Sequence, residues 1–135
     1  MKRVFADSNV FLRFFTMGDP AQHGRAAGLF ADAESGSLSL VCGPPVLFEV
    51  AWTLRSFYKL SREQVLDVIV RVLATPGLEL TDRARVEDAL GRARAAHQEF
   101  ADAYIAASLE ASSCESIATF NREHFAKLGT QLYDF

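Results

Sequence analysis

Short apolar runs alternate with longer amphipathic segments along the chain, and this alternation limits the folds that the sequence can adopt. The runs are residues 4–6, 38–42, 78–80 and 116–119, each followed by a turn and a helical pattern. Strands separated by helices pair in parallel through right-handed crossovers. The pattern predicts a three-layer α/β/α domain with a mainly parallel central sheet of four to five strands, the fifth being an edge strand at residues 131–135.

The size and composition are those of one globular domain. A chain of 135 residues buries roughly two thirds of its unfolded surface, so we expect a single domain over residues 1–135. Half of the residues are hydrophobic and 23% are charged, as in ordinary globular proteins. Neither a signal-peptide pattern nor an apolar run of roughly 18 residues is found, so a cytoplasmic protein without a membrane span is expected.

The charge balance and the two cysteines exclude some classes of function. Seventeen acidic and fourteen basic side chains give a net charge of −3, which argues against holding nucleic acid by bulk charge. A polyanion has to be attracted by local groups or by a metal. Cys42 and Cys114 have neither C-x-x-C spacing nor histidine neighbours in a zinc pattern, and we expect both to be small buried apolar residues.

Residues 97–111 (HQEFADAYIAASLEA) set carboxylates on a helical face that is otherwise apolar. Asp102 shares its stripe with Ile105, Ala106 and Leu109, and Glu99 lies about one turn earlier on nearly the same line. A buried carboxylate is normally paired with a cation, bonded by backbone donors or protonated, because burying it alone is costly. We interpret the partner of these acids as a divalent metal ion.

Further oxygen ligands stand at the carboxyl ends of predicted strands, where parallel sheets form their ligand crevice. Asp7 follows the first strand, and Asn121 follows the fourth. Asp7 can equally cap the next helix, and its position alone does not separate the two roles. Oxygen ligands without cysteine or histidine favour Mg²⁺ or Mn²⁺, which can support hydrolysis of a phosphodiester.

Three other candidate residues have an ordinary surface interpretation from pattern alone. Glu49 falls off the apolar stripe of its predicted helix, so wheel geometry favours a solvent-facing side chain. Arg13 and Arg25 can meet phosphates, although solvated arginines are the default on a protein surface.

Four segments, taken in order, resemble the PIN-domain family of ribonucleases, and most closely the VapC-type toxins of bacterial toxin–antitoxin pairs. FADSNVFLRFF resembles the opening strand with its first aspartate, and VLFEVAWTL resembles the helix that carries a glutamate. EFADAYIAA is similar to the most recognisable segment of the family, and SIATFNREHFAKLG to the closing strand with its acidic motif. Together the segments span essentially the whole chain.

The resemblance implies roles for individual residues. Asp7 and Asp102 are the main Mg²⁺ ligands, and Glu49 completes the acidic cluster and orients water, which overrides its surface interpretation. Glu99 matches a frequently acidic accessory position, and Thr119 assists through its hydroxyl.

The departure from the family pattern is Asn121, where an aspartate is common. Asparagine can hydrogen-bond to a metal-bound water but adds no charge. One-metal and two-metal mechanisms therefore both stay open.

The resemblance implies a Mg²⁺-dependent endoribonuclease, the toxin of a toxin–antitoxin pair, that forms a homodimer and is inhibited by an antitoxin protein. Attack by a metal-bound water needs no 2′-hydroxyl, so RNA is favoured over DNA by the resemblance only. The alternative is a catalytically weakened PIN module that binds a protein or RNA. Two other α/β classes fit the sequence less well. A receiver-type phosphoacceptor domain requires a lysine at a later strand end, where this chain has Asn121. A haloacid-dehalogenase-like phosphatase requires a D-x-D motif, which Asp7-Ser8-Asn9 does not supply.

Overall fold

The computed structural model describes every residue, Met1–Phe135. The polypeptide divides into two compact units, Met1–Asp82 and Arg83–Phe135. The expectation of a single domain over residues 1–135 stays a prediction. None of the helices combines the length and the apolar character that a membrane span requires.

The first unit contains three strands and four helices that alternate as the sequence predicts. They are β1 (Lys2–Phe5), α1 (Ser8–Phe15), α2 (Pro20–Ser35), β2 (Leu38–Cys42), α3 (Pro44–Ser56), α4 (Arg62–Leu73) and β3 (Leu78–Leu80). The strand order is β1-β2-β3, and both pairings are parallel. The predicted α/β class with a parallel sheet is therefore confirmed.

The strand register separates two faces of this sheet. Val4, Leu40 and Leu78 form one row across the three strands, and Leu40 is completely buried. On the other face, the Arg3 guanidinium forms two hydrogen bonds, of 2.7 and 3.2 Å, to the Glu79 carboxylate, and this contact lowers the pKa of Glu79. Phe5 shares that face because side chains alternate along a strand.

Phe5 is 62% exposed, although a short apolar run such as residues 4–6 is typical of a strand buried on both faces. β1 is an edge strand of the sheet, and Arg3 and Glu79, which lie on the same face as Phe5, are solvated. Ala6, one residue further along, is buried.

Local sequence signals define the helix ends of the first unit. Asp19 caps α2 and Pro20 occupies its first turn, where a missing N–H is tolerated. Gly36 ends α2 in the left-handed conformation. Ser61 and Gln64 form a complete capping box at the start of α4.

The second unit contains three helices, α5 (Arg83–Ala96), α6 (Phe100–Ala111) and α7 (Arg122–Lys127). α6 packs against both α5 and α7. The α5 and α6 side chains that become buried are aliphatic or aromatic: Val86, Ala89, Leu90, Ala93, Phe100, Ala103, Tyr104, Ala106 and Ala107.

The sheet has three strands, which corrects the predicted four to five. Residues 116–119 and 131–135 are joined by only one isolated parallel bridge, between Ile117 and Leu132. A strand needs several paired residues and an apolar face to be stable. Residues 116–119 contribute a single large apolar side chain before the chain turns toward α7, so the pairing does not extend.

The two cysteines lie in different environments. Cys42 is completely buried at the end of β2, and burial raises the pKa of its thiol to about 11. Cys114 is exposed in the turn after α6, so the expectation that both cysteines are buried is wrong for Cys114. Its backbone N–H donates to the Leu109 carbonyl at the end of α6, and residues 111–115 of this turn are all exposed.

Gly77 occupies a position that no other residue fits. Its φ is +79°, in the left-handed region, and a Cβ atom there would overlap the backbone carbonyl of Ala33 in α2. Gly28, in α2 itself, has open space around the position of a Cβ atom. The turn before β3 therefore approaches α2 as closely as backbone atoms permit.

We expect Gly77→Ala to lower the free energy of unfolding by about 2–4 kcal/mol, because it combines backbone strain with overlap. Gly28→Ala is the matched control and should raise it by about 0.5–1 kcal/mol through helix propensity. Urea unfolding measures both changes. A Gly77→Ala variant as stable as the natural protein would contradict the close approach.

Thiol titration with a coloured disulfide reagent at pH 8 should detect one fast-reacting cysteine, Cys114. Cys42 is covered and, with its raised pKa, stays protonated, so it should react only when the chain unfolds. Cys114→Ser should abolish the fast phase. Two thiols that react at the same rate in the folded protein would contradict the assigned environments.

Candidate functional site

Asp7 stands directly after β1 and caps α1. Its backbone is extended (φ −82°, ψ 167°), and its Oδ1 accepts a 2.7 Å hydrogen bond from the backbone N–H of Ser8. The side chain is exposed, and Oδ2 has no partner within the protein. The two interpretations of Asp7 are therefore compatible, because one oxygen holds the helix end and the other is open to a ligand.

Glu49 lies on the exposed side of α3, as wheel geometry predicts. Its neighbours Leu47 and Val50 are completely buried, whereas Trp52, three residues later, is exposed on the same side as Glu49. The Glu49 carboxylate forms no ion pair. It is therefore an accessible, uncompensated negative charge, and its role in an acidic cluster stays a prediction.

The buried face of α6 overlaps only partly with the face that the sequence predicts, because Ala106 of that face is buried but Ile105 is not. Phe100 and Tyr104 are buried one turn apart, whereas Ile105 is 47% exposed. The two aromatic rings have the largest apolar area on the helix. Because they are buried, Asp102 and Ile105 lie at the border of the buried face. Asp102 consequently lies beside the core rather than in it, with its side chain 21% exposed.

Asp102 has a histidine neighbour that the sequence analysis missed. Its Oδ2 lies 3.5 Å from Nδ1 of His124 on α7. Asp102 also stands in the first turn of α6, where the helix dipole favours a negative charge. A signal for His124 was present in the sequence, because it follows Asn121 by three residues and so shares its side of α7.

The remaining predicted residues of the second unit lie at helix starts. Glu99 is the N-cap residue of α6 but does not cap through its side chain. Asn121 is the N-cap residue of α7, also without a side-chain capping bond. Thr119 Oγ1 accepts a 3.0 Å hydrogen bond from the Asn121 backbone N–H. The Thr119 hydroxyl therefore shapes the turn that presents Asn121 to solvent.

Arg13 lies near the end of α1 and is held by neutral groups. Its Nε donates to Gln22 Oε1 at 2.7 Å, and its Nη1 donates to the Tyr58 hydroxyl at 3.3 Å. No carboxylate neutralises it.

The predicted site residues thus belong to both units: Asp7, Arg13 and Glu49 to the first, and Glu99, Asp102, Thr119 and Asn121 to the second. The chain contains no group of three or more His, Cys, Asp or Glu side chains placed to hold a metal ion. The donors are carboxylate and amide oxygens, which fit Mg²⁺ or Mn²⁺, since Mg²⁺ usually takes one or two carboxylates and keeps several waters. That Asp7 and Asp102 share one ion stays a prediction.

Comparisons with known proteins give one decisive match. The family model described as the PIN domain matches residues 4–130. A search of curated proteins finds no significant match. Among solved structures, the chain is similar to that of Mycobacterium tuberculosis VapC20, a sarcin–ricin loop cleaving toxin, with 20% identity, 91% of this chain and 93% of that chain covered, and a TM-score of 0.42. The structural likeness adds nothing to the assignment by the family model.

The capping role of Asp7 can be separated from any ligand role. We expect Asp7→Ala to lower the free energy of unfolding by about 1 kcal/mol because it removes the capping oxygen. Asp7→Asn retains an oxygen acceptor there and should change it by less than about 0.5 kcal/mol. Urea unfolding of the two variants checks this, and equal losses in both would contradict the capping geometry.

Proposed function

This chain belongs to the PIN-domain family, and on that premise we propose that it is a metal-dependent endoribonuclease that hydrolyses RNA phosphodiester bonds. PIN domains are nucleases, so the broad class of a hydrolase follows from family membership. The family match over residues 4–130 is the observation that carries the proposal. The open Oδ2 of Asp7 at the end of β1 supports it.

We assign Asp7 and Asp102 as the metal ligands, supported by the resemblance of their two segments to the family pattern. Both carboxylates stand at helix starts, Asp7 as the cap of α1 and Asp102 in the first turn of α6. A carboxylate on a rigid element loses little freedom when it binds a cation. Glu99, the cap residue of α6, is the accessory acid of the proposal.

When bound, Mg²⁺ or Mn²⁺ supplies Lewis acidity toward the scissile phosphodiester. Glu49 offers an exposed carboxylate that forms no ion pair and can accept hydrogen bonds from water. Asn121 contributes a neutral amide, which donates and accepts hydrogen bonds without adding charge. The Thr119 hydroxyl holds the Asn121 backbone in position.

The proposal includes the biological context that the sequence resemblance implies. The protein is the toxin of a toxin–antitoxin pair, acts in the cytoplasm and forms a homodimer. Its partner is an antitoxin protein, and an arginine of that partner would suit an acidic pocket because guanidinium binds carboxylates with two hydrogen bonds.

RNA cleavage assays test the proposed function. The natural protein should cleave RNA with Mg²⁺ or Mn²⁺ and lose this activity in EDTA. Asp7→Asn and Asp102→Asn should each lower the rate by about 100-fold or more while leaving the fold intact. Asp19→Asn is the matched control, since Asp19 also caps a helix but is not a proposed ligand, and its rate should be unchanged.

Two outcomes would count against the proposal. Full cleavage by Asp7→Asn or Asp102→Asn would refute the assignment of that residue as a ligand. If the natural protein binds RNA but does not cleave it, whichever divalent cation is added, the catalytically weakened PIN module is favoured instead. Asn121 is the residue that motivates this alternative.

A further inference from the structure

A groove of about 500 Å³ runs between α1 and α2 in the first unit. Its polar side chains are Asn9 and Arg13 from α1, and Gln22 and Arg25 from α2. The remaining lining side chains are apolar, and no acidic side chain lines the groove. The groove is thus locally basic in a protein whose net charge is −3.

The two arginines of the groove differ from several other arginines of this protein. Arg3, Arg92 and Arg122 each form an ion pair with a carboxylate. Arg25 is exposed and forms no hydrogen bond or ion pair, and Arg13 contacts only the neutral Gln22 and Tyr58. Two guanidinium charges in one groove are therefore available to an external anion.

Arg13 is fixed without being neutralised. Its bonds to Gln22 and Tyr58 use Nε and one N–H of Nη1, which leaves the N–H groups of Nη2 open. A guanidinium held in place loses less conformational entropy when it binds an anion. The groove is therefore organised for an anion before that anion arrives.

The groove also leads toward the proposed metal ligand at the start of α1. Asp7 caps α1, and Asn9 and Arg13 follow along the helix. Arg13 lies roughly 9 Å along the axis from Asp7, and helical side chains lean toward the N-terminus. A strand bound along the groove would therefore approach Asp7.

We propose that this groove binds the backbone of a single RNA strand, with Arg13 and Arg25 each contacting a phosphate. The inference rests on the proposed function, because it names the surface that holds the substrate of that reaction. Guanidinium groups form paired hydrogen bonds to phosphate, and the amides of Asn9 and Gln22 can reach ribose hydroxyls or base edges. Regularly repeated phosphates suit two cations placed on separate helices.

Binding in EDTA tests the groove without cleavage. Fluorescence anisotropy of a labelled single-stranded RNA would be measured over a series of salt concentrations. Arg13→Gln/Arg25→Gln should weaken binding about tenfold and reduce the salt slope by about 1.4, which is two phosphate contacts on a single strand. The charge-matched control is Arg62→Gln/Arg71→Gln on α4, outside the groove, and should change the affinity less than twofold.

Arg25→Glu provides a second variant that does not depend on internal contacts. Arg25 touches no partner within the protein, so the substitution should leave the melting temperature unchanged and still weaken RNA binding. The proposal is overturned if both groove variants bind RNA as tightly as the natural protein. It is also overturned if a polyglutamate peptide binds the groove more tightly than RNA.

The binding and cleavage experiments together distinguish the proposed RNA-binding groove from the proposed cleavage reaction. One outcome is that RNA affinity depends on both arginines but the protein does not cleave RNA with any divalent cation. This outcome supports the groove and refutes the proposed function. Cleavage that requires Asp7, in groove variants that bind and cleave normally, refutes the groove and supports the function.

Discussion

Parallel pairing of three strands is the constraint on which the first unit depends. Because the three strands are parallel, the carboxyl ends of β1, β2 and β3 all lie at the same edge of the sheet. Asp7 is the first residue after Ala6 at that edge, and Gly43 follows β2 there. A Cβ atom on Gly43 would stand 2.8 Å from Thr81 Oγ1, after β3, so the chain packs tightly where these strands end. The position of Asp7 is thus a consequence of the topology.

Features with a local cause could be predicted from the sequence, and those that depend on distant partners could not. Capping and turn residues locate α2, α4, β2 and β3 in the sequence, because the contacts that these residues make lie within a few positions along the chain. The exposure of Phe5, the single bridge at Ile117 and the rotated face of α6 depend on what packs against them. In the candidate site, the position of Asp7 after a strand and the exposure of Glu49 could be predicted from the hydrophobic pattern. His124 was missed because its contact with Asp102 joins two helices.

Electrostatic roles are divided among the charged side chains of this protein. Surface pairs such as Arg3 with Glu79 neutralise each other and, being solvated, contribute little to stability. Arg13 and Arg25 in the groove, and Glu49 on α3, have no partner of opposite charge. Unpaired charges on a surface remain available to ligands, so the net charge of −3 conceals a locally basic groove.

The capping bond of Asp7 also bears on how a protein of this kind can change during evolution. Asparagine serves as a helix cap about as well as aspartate does. A single base change that converts one into the other would remove the negative charge while the first helix still begins correctly. If Asp7 holds a metal as proposed, such a change would remove the chemistry without removing the fold, and a descendant so altered would be a scaffold available for binding alone. By the resemblance described above, Asn121 is already an amide at a position where an acid is expected.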